Sequence, residues 1–177
     1  DLDVKLSVGS EDLEIRYAIN DNSTYDVYTT PINLVDTTTI HARSYDSNTA
    51  VSTVVTNRFT RVKPWEATNI HQYSIGKLAR STYKGTWEEL PDFSKLTPES
   101  MDRVNGVEES PEEYVALVYE GYIRIRQQGM IAFALSSDDG SRLLIDDHVV
   151  IDNDGLHGTQ EKRGSAPLAK GWHKFRV

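Results

Sequence analysis

The stretch SSDDGSRLLID, residues 136–146, joins a polar turn to an apolar strand. Before it, large apolar side chains occupy every second position of GMIAFAL (129–135), which predicts a strand with one buried face. At its end, the pair Asp146 and Asp147 predicts a two-residue connection to a partner strand, HVVID. The segment therefore predicts consecutive antiparallel strands, the pattern of an all-β domain.

The flanking sequence continues this pattern with two interruptions. GWHKFRV (171–177) alternates and predicts a strand, whereas NDGLHGTQEKRGS (153–165) predicts a long polar loop. TPESMDRVNG (97–106) carries a cap residue, a proline at the first helical position and an Asn-Gly stop, so it predicts one short helix. SPEEY (110–114) has capping-box spacing, but the β-rich YVALVYEGYIRI (114–125) that overlaps it favours a strand.

The N-terminal part of the chain is organised as a separate module. Residues 1–62 contain β-branched and alternating segments separated by polar turns, which predicts a small antiparallel sandwich. KPWEATN (63–69) contains a proline that interrupts strand pairing, and we interpret it as a linker. The sequence therefore predicts an all-β chain with two β-sandwich modules, an Ig-like one at 1–62 and a second one at 70–177.

The composition excludes several kinds of chemistry. The chain has 177 residues, no cysteine and a formal net charge of −8. The lack of cysteine excludes disulfides, zinc–thiolate sites and cysteine nucleophiles. Because both modules carry an excess of acids, the phosphate backbone of a nucleic acid is not an expected partner. No apolar run reaches the ~20 residues that span a bilayer, so no membrane span is expected.

An ordered series of motifs runs through the second module: WEELPDFSKL (87–96), EGYIRI (120–125), SDDGSRLLID (137–146), NDGLHG (153–158) and GWHKFRV. This series resembles the protective-antigen-type (PA-fourteen) family. The resemblance implies a β-sandwich of the kind that accompanies glycosidases, adhesins and toxins and often binds carbohydrate. Members usually continue with a further strand after the last motif, so we expect this sandwich to lack its last strand.

Two segments of the first module carry a second resemblance. IRYAINDNSTYDVYTTPINL (15–34) and TTTIHARSYD (37–46) resemble the Ig-like C-terminal module of chitobiases and β-hexosaminidases, although NDNSTYD replaces the usual D-G-S-x-P turn. The two modules in this order resemble the C-terminal tail of a bacterial family-twenty glycoside hydrolase, a β-N-acetylhexosaminidase. This implies a non-catalytic accessory region of an exported enzyme, with the catalytic domain upstream and N-acetylhexosamine-containing glycans as candidate ligands.

The resemblance to calcium-dependent sugar-binding members makes Asp138 and Asp139 candidate calcium and glycan ligands. Two adjacent aspartates on an extended strand point to opposite faces, and a cis peptide bond between them would let both reach one ion. Asn153, in an oxygen-rich loop, is a third candidate for glycan binding. The alternative is an ordinary Asp-Gly hairpin turn in which the carboxylates bond to nearby amides.

Catalysis within this chain is not expected. The carboxylate pair of a glycosidase lies ~5–9.5 Å apart across a cleft, which two small sandwiches do not offer. Two alternatives to glycan binding remain: a structural module that packs on the catalytic barrel, or a module for protein adhesion. The aromatic residues that could stack on sugar rings, or else fill the core, are Trp65, Trp87, Trp172, Tyr119 and Tyr122.

Overall fold

The structure, a computed structural model, describes residues 2–70, 76–107 and 113–177. In these ranges the backbone forms fifteen strands and one short 3-10 helix, Phe93–Lys95, which confirms the predicted all-β class. The chain divides into two compact units, one ending at Val62 and the other beginning at Lys63.

The first unit contains a strand pair and a five-stranded sheet. Its strands are β1 (Leu2–Val4), β2 (Glu14–Ile19), β3 (Asp26–Val27), β4 (Ile32–Leu34), β5 (Thr38–Asp46), β6 (Thr49–Ala50) and β7 (Val55–Phe59). β1 pairs with β4, and the larger sheet has the order β3-β2-β5-β6, with β7 also paired to β5. The apolar core comprises Ile32, Leu34 and Ile40, with Val4, Leu6, Tyr17, Tyr28 and Phe59 against it.

The second unit contains a six-stranded sheet and a long strand pair. Its strands are β8 (Leu78–Lys84), β9 (Ser100–Val104), β10 (Val115–Ile125), β11 (Gly129–Ser137), β12 (Ser141–Ile145), β13 (His148–Asn153), β14 (Gln160–Leu168) and β15 (Gly171–Arg176). The six-stranded sheet has the order β13-β12-β15-β10-β8-β9, and β11 pairs with β14. The side chains of Ile145 and Leu168 are fully buried in the core.

The strands on either side of the SSDDG turn, residues 136–140, form as the sequence predicts. In β11 the more buried residues alternate with exposed ones, and Ile131, Phe133 and Leu135 pack against the core. Asp146 and Asp147 form the tight connection between β12 and β13, with φ values of 47° and 64°. Positive φ at both positions is typical of a type I′ hairpin turn, where aspartate is one of the favoured residues.

The helix predicted within 97–106 is wrong, because this segment contains strand β9. β9 lies at the edge of the large sheet and pairs antiparallel with β8. The pairing places Arg80 opposite Asp102, and the Arg80 Nε donates to Asp102 Oδ1 over 3.0 Å. The local capping signals are real, but the hydrogen bonds of a neighbouring strand outweigh them.

The predicted loop at 153–165 is wrong in its second half, because β14 begins at Gln160. The polar sequence reflects the exposed first part of this strand, where residues 160–163 face solvent. At Gly164 a Cβ atom would lie 2.2 Å from the carbonyl oxygen of Val150. The absence of a side chain there allows the two strands to approach closely.

Residues 63–69, which we interpreted as a linker, are hydrogen-bonded to the second unit. The Trp65 N–H donates to the carbonyl of Pro167, and the Thr68 N–H donates to that of Trp172, both over 2.7 Å. The capping box proposed at Ser110 lies outside the described residues. The strand favoured after it is confirmed as β10.

Candidate functional site

The candidate site is formed by two loops of the second unit that lie side by side. Asp138 and Asp139 follow β11, and the peptide bond between them is cis. The second loop, residues 154–159, connects β13 to β14. It contacts both carboxylates: the Thr159 hydroxyl donates to Asp138 Oδ2 over 3.4 Å, and the His157 N–H donates to Asp139 Oδ1 over 2.9 Å. Each aspartate thus retains one carboxylate oxygen that these two bonds do not use.

Asn153, the last residue of β13, lies next to Ser137, the residue that precedes the aspartate pair. Its side chain is fully buried, and its amide nitrogen donates to the Ser137 hydroxyl over 3.0 Å. Among the described residues the amide oxygen of Asn153 has no hydrogen-bond partner, although it is buried. Buried side-chain oxygens are normally satisfied, so an unpaired one marks a position where a water molecule or an ion is expected.

His157 ties the second loop together through its ring. Its Nδ1 lies 2.9 Å from the carbonyl oxygen of Gly158, and its Nε2 lies 2.9 Å from that of Asn153. A ring that donates from both nitrogens is an imidazolium. These bonds, first to Asn153 and then to Gly158, together with the negative charge of Asp139, raise the pKa of His157 above 6.5.

Asp154 anchors the site to a third segment. Its carboxylate accepts from the Leu90 N–H over 2.7 Å and from the Gly155 N–H over 2.8 Å, and it pairs with Arg142 over 2.9 Å. Gly140, which follows the aspartate pair, lies so close that a Cβ atom would approach Gly155 N to 3.0 Å. The loop after β13 is thereby fixed against the turn that carries the candidate ligands.

The roles of Asp154, His157, Thr159 and Arg142 were not predicted from the sequence. The NDGLHG motif marked their neighbourhood, but nothing in the spacing indicates which side chain faces which loop. The carboxylate of Asp154 bonds a residue 64 positions away, and such a contact leaves no local signal.

The second acid pair, Asp146 and Asp147, has the structural role that the sequence predicts. Asp146 accepts from the buried ring of His173 over 2.6 Å and from the Lys174 N–H over 3.0 Å. Its own N–H donates to the Lys174 carbonyl over 2.9 Å. These bonds fix the β12–β13 turn to β15.

The aromatic candidates occupy different environments. Trp65 stacks on His148 at 4.4 Å and packs against the core. Tyr119 is buried, whereas Tyr122 is 44% exposed. Arg124 lies over the Trp172 ring at 5.9 Å, and Gly85 leaves room for the Trp87 ring.

The donor set at the site consists of oxygen atoms. Within 2–70, 76–107 and 113–177, no group of three or more His, Cys, Asp or Glu side chains could hold a metal ion. Two carboxylates and one buried amide oxygen lie in neighbouring segments here, and oxygen atoms are the ligands that calcium prefers. The fully buried and unsatisfied Asn153 oxygen is the observation that fits such an ion.

The fold and site define an all-β, two-unit protein with a polar, oxygen-rich site on its second unit. Residues 97–177 match the PA14 domain family, which confirms the protective-antigen-type resemblance over that range. Residues 4–59 match the Fn3-associated family, in the region where an Ig-like module was expected.

No curated protein matches the chain. A solved structure described as an anti-sigma factor domain-containing protein is 13% identical, with a TM-score of 0.47. The alignment covers 92% of this chain and 65% of that one. In the described ranges, no helix is long and apolar enough to cross a membrane.

Proposed function

We propose that this chain is a non-catalytic accessory region that binds carbohydrate through a calcium site at Asp138, Asp139 and Asn153. The observation that carries the proposal is the buried amide oxygen of Asn153, which lacks a partner beside the residue that precedes the aspartate pair. PA14 domains are often carbohydrate-binding or accessory modules of glycosidases, and Fn3-associated domains are usually non-catalytic as well.

The three proposed ligands would leave coordination positions of a calcium ion unfilled. Calcium takes about 6–8 oxygen ligands, and the three side chains supply only part of this number. A bound calcium ion would supply open coordination positions for vicinal sugar hydroxyls. The N–H of His157 and the hydroxyl of Thr159 hold one oxygen of each carboxylate and thereby fix the orientation of the pair.

We further propose that the parent protein is an exported bacterial β-N-acetylhexosaminidase with its catalytic domain upstream. The succession of a Fn3-associated region and a PA14 domain supports this arrangement. In such a parent, glycans that contain N-acetylhexosamine would be the ligands of the module.

The test combines calorimetric calcium titration with a glycan array in the presence and absence of EDTA. We expect Asp139→Asn to weaken calcium binding by about tenfold or more, because it removes one charged oxygen ligand. Asp147→Asn is the matched control, since it makes the same change in charge on an exposed turn residue. Glycan binding that EDTA does not affect, or an equal loss in both variants, would refute the calcium site.

A second candidate function is docking to another protein domain. The side chain of Met101, on the edge strand β9, is 72% exposed, and those of Val107 and Tyr114 are 59% and 68% exposed. Large exposed apolar side chains are typical of contact surfaces when they cluster. A negative glycan array together with stable binding to the parent catalytic domain would favour this function.

A further inference from the structure

The outer face of the five-stranded sheet in the first unit has an unusual distribution of charge. Residues paired across antiparallel strands share a face, so the register assigns this face directly. Arg16 on β2 is paired with Arg43 on β5, and Thr39 on β5 is paired with Arg58 on β7. The core residue Ile40 belongs to the opposite face. We call the surface formed by Arg16, Arg43, Arg58, Tyr45 and Tyr25 the arginine face.

The arginine face is basic although the unit is acidic. Residues 1–62 contain nine acids and five bases, and three of the five bases lie on this face. Among the strand residues that the register assigns to this face, one is acidic, Glu14, and it forms an ion pair with Arg16. Two like charges directly opposite each other destabilise a sheet, and Glu14 offsets this at the pair of Arg16 and Arg43 by neutralising Arg16.

Arg43 is the centre of this surface. Its guanidinium group lies 5.0 Å from the Tyr45 ring centroid and 5.7 Å from that of Tyr25, and its Nε donates to the Tyr45 hydroxyl over 3.0 Å. In the described ranges its two terminal nitrogens have no hydrogen-bond partner, and neither is a buried unsatisfied atom. Both therefore keep some exposed surface. The two phenol rings hold the guanidinium plane, and its free edge can bond one carboxylate bidentately.

The neighbouring arginines extend the surface in one direction. Arg16 also lies over the Tyr45 ring, 4.4 Å from its centroid, and donates to Ser47 and Asn48. Arg58 is exposed, and its partner Thr39 is four residues from Arg43 along β5, which corresponds to about 13 Å. A ligand that meets all three arginines is thus elongated and carries more than one negative group.

We propose that the arginine face binds a linear saccharide whose sugar units carry carboxylate groups. The planar carboxylate fits the free edge of Arg43, and the exposed charge of Arg58 takes a second carboxylate farther along the chain. A nucleic acid is the alternative polyanion, and the overall charge of −8 opposes both ligands. This site is separate from the proposed calcium site and requires no metal.

The test is a calorimetric titration of the full chain with an oligogalacturonate in EDTA at low ionic strength. We expect binding that is lost when the carboxyl groups of the same oligosaccharide are reduced to alcohols. Arg43→Gln is expected to weaken binding by about tenfold, and Arg58→Gln by about threefold, because an exposed charge contributes less. Arg58→Gln also protects the test against misfolding, since this side chain is exposed.

Arg61→Gln is the matched control, because Arg61 lies outside the strands and is paired with Asp36. The proposal is overturned if the oligogalacturonate does not bind, if its reduced form binds equally, or if Arg61→Gln weakens binding as much as Arg43→Gln. Equal or tighter binding of single-stranded DNA would also overturn it. Asp139→Asn is expected to leave this binding unchanged, and a loss in that variant would assign the ligand to the other site.

Discussion

Replacing Asp154 by alanine should destabilise the second unit much more than the same change at its neighbour Asp152. The side chain of Asp154 is 19% exposed, whereas that of Asp152 is 53% exposed. Both carboxylates contact Arg142, at 2.9 Å and 3.1 Å respectively. Only Asp154 also accepts from Leu90, over 2.7 Å. The two variants therefore remove the same charge and differ in the long-range anchor.

The magnitude follows from these contacts. A hydrogen bond to a charged group contributes about 1.5–3 kcal/mol, and its loss leaves the Leu90 N–H without its acceptor. The partly exposed ion pair with Arg142 adds about 0.5–1 kcal/mol. Asp154→Ala should therefore lower the free energy of unfolding by about 2–4 kcal/mol. Asp152→Ala should lower it by about 0–1 kcal/mol, since water replaces an exposed carboxylate at little cost.

The assay is urea unfolding followed by tryptophan fluorescence. The three tryptophans, Trp65, Trp87 and Trp172, all belong to the second unit, so the signal reports on that unit without a contribution from the first. A loss below about 1 kcal/mol for Asp154→Ala, or equal losses in the two variants, would refute the anchoring role.

Two further predictions concern the same unit. Gly164→Ala should lower the unfolding midpoint in urea strongly, because the new Cβ atom would lie 2.2 Å from the Val150 carbonyl oxygen. Gly158→Ala is the control and should change the midpoint little, because the space around Gly158 is open. Similar midpoints for the two variants would contradict the close approach at Gly164. The His157 ring should titrate above pH 6.5 when its titration is followed by NMR. Because the pKa of His157 is raised in the folded state, its stabilisation of the loop is fully present below pH 6.5 and is lost as the pH rises through the higher pKa. A titration midpoint at or below pH 6.5 would contradict the double hydrogen bond to Asn153 and Gly158.

Short-range patterns were sufficient for much of the second unit. The alternation in β11 predicted which of its residues are buried, because side chains of a strand point to opposite faces in turn. The Asp-Asp connection before His148 was also predictable, since a two-residue hairpin turn depends on the conformations of its own residues. The aspartate pair of the candidate site stood out for the same reason, as a turn motif between two strands.

The sequence failed where the structure depends on a partner distant in the chain. The segment around Met101 carries helix caps, yet it forms an edge strand because β8 supplies its hydrogen bonds. The segment around Gly164 has a loop-like composition, yet it is a strand because β11 supplies its hydrogen bonds.

The candidate site shows the same division. The sequence by itself determined that Asp138, Asp139 and Asn153 are oxygen donors near turns. Only the tertiary structure decided that the Asn153 amide oxygen is buried without a hydrogen-bond donor, and that Asp154 fixes its loop to Leu90. It also decided that Arg16, Arg43 and Arg58 share one sheet face. Strand pairing between distant segments creates these neighbours, and no local pattern records which segments pair.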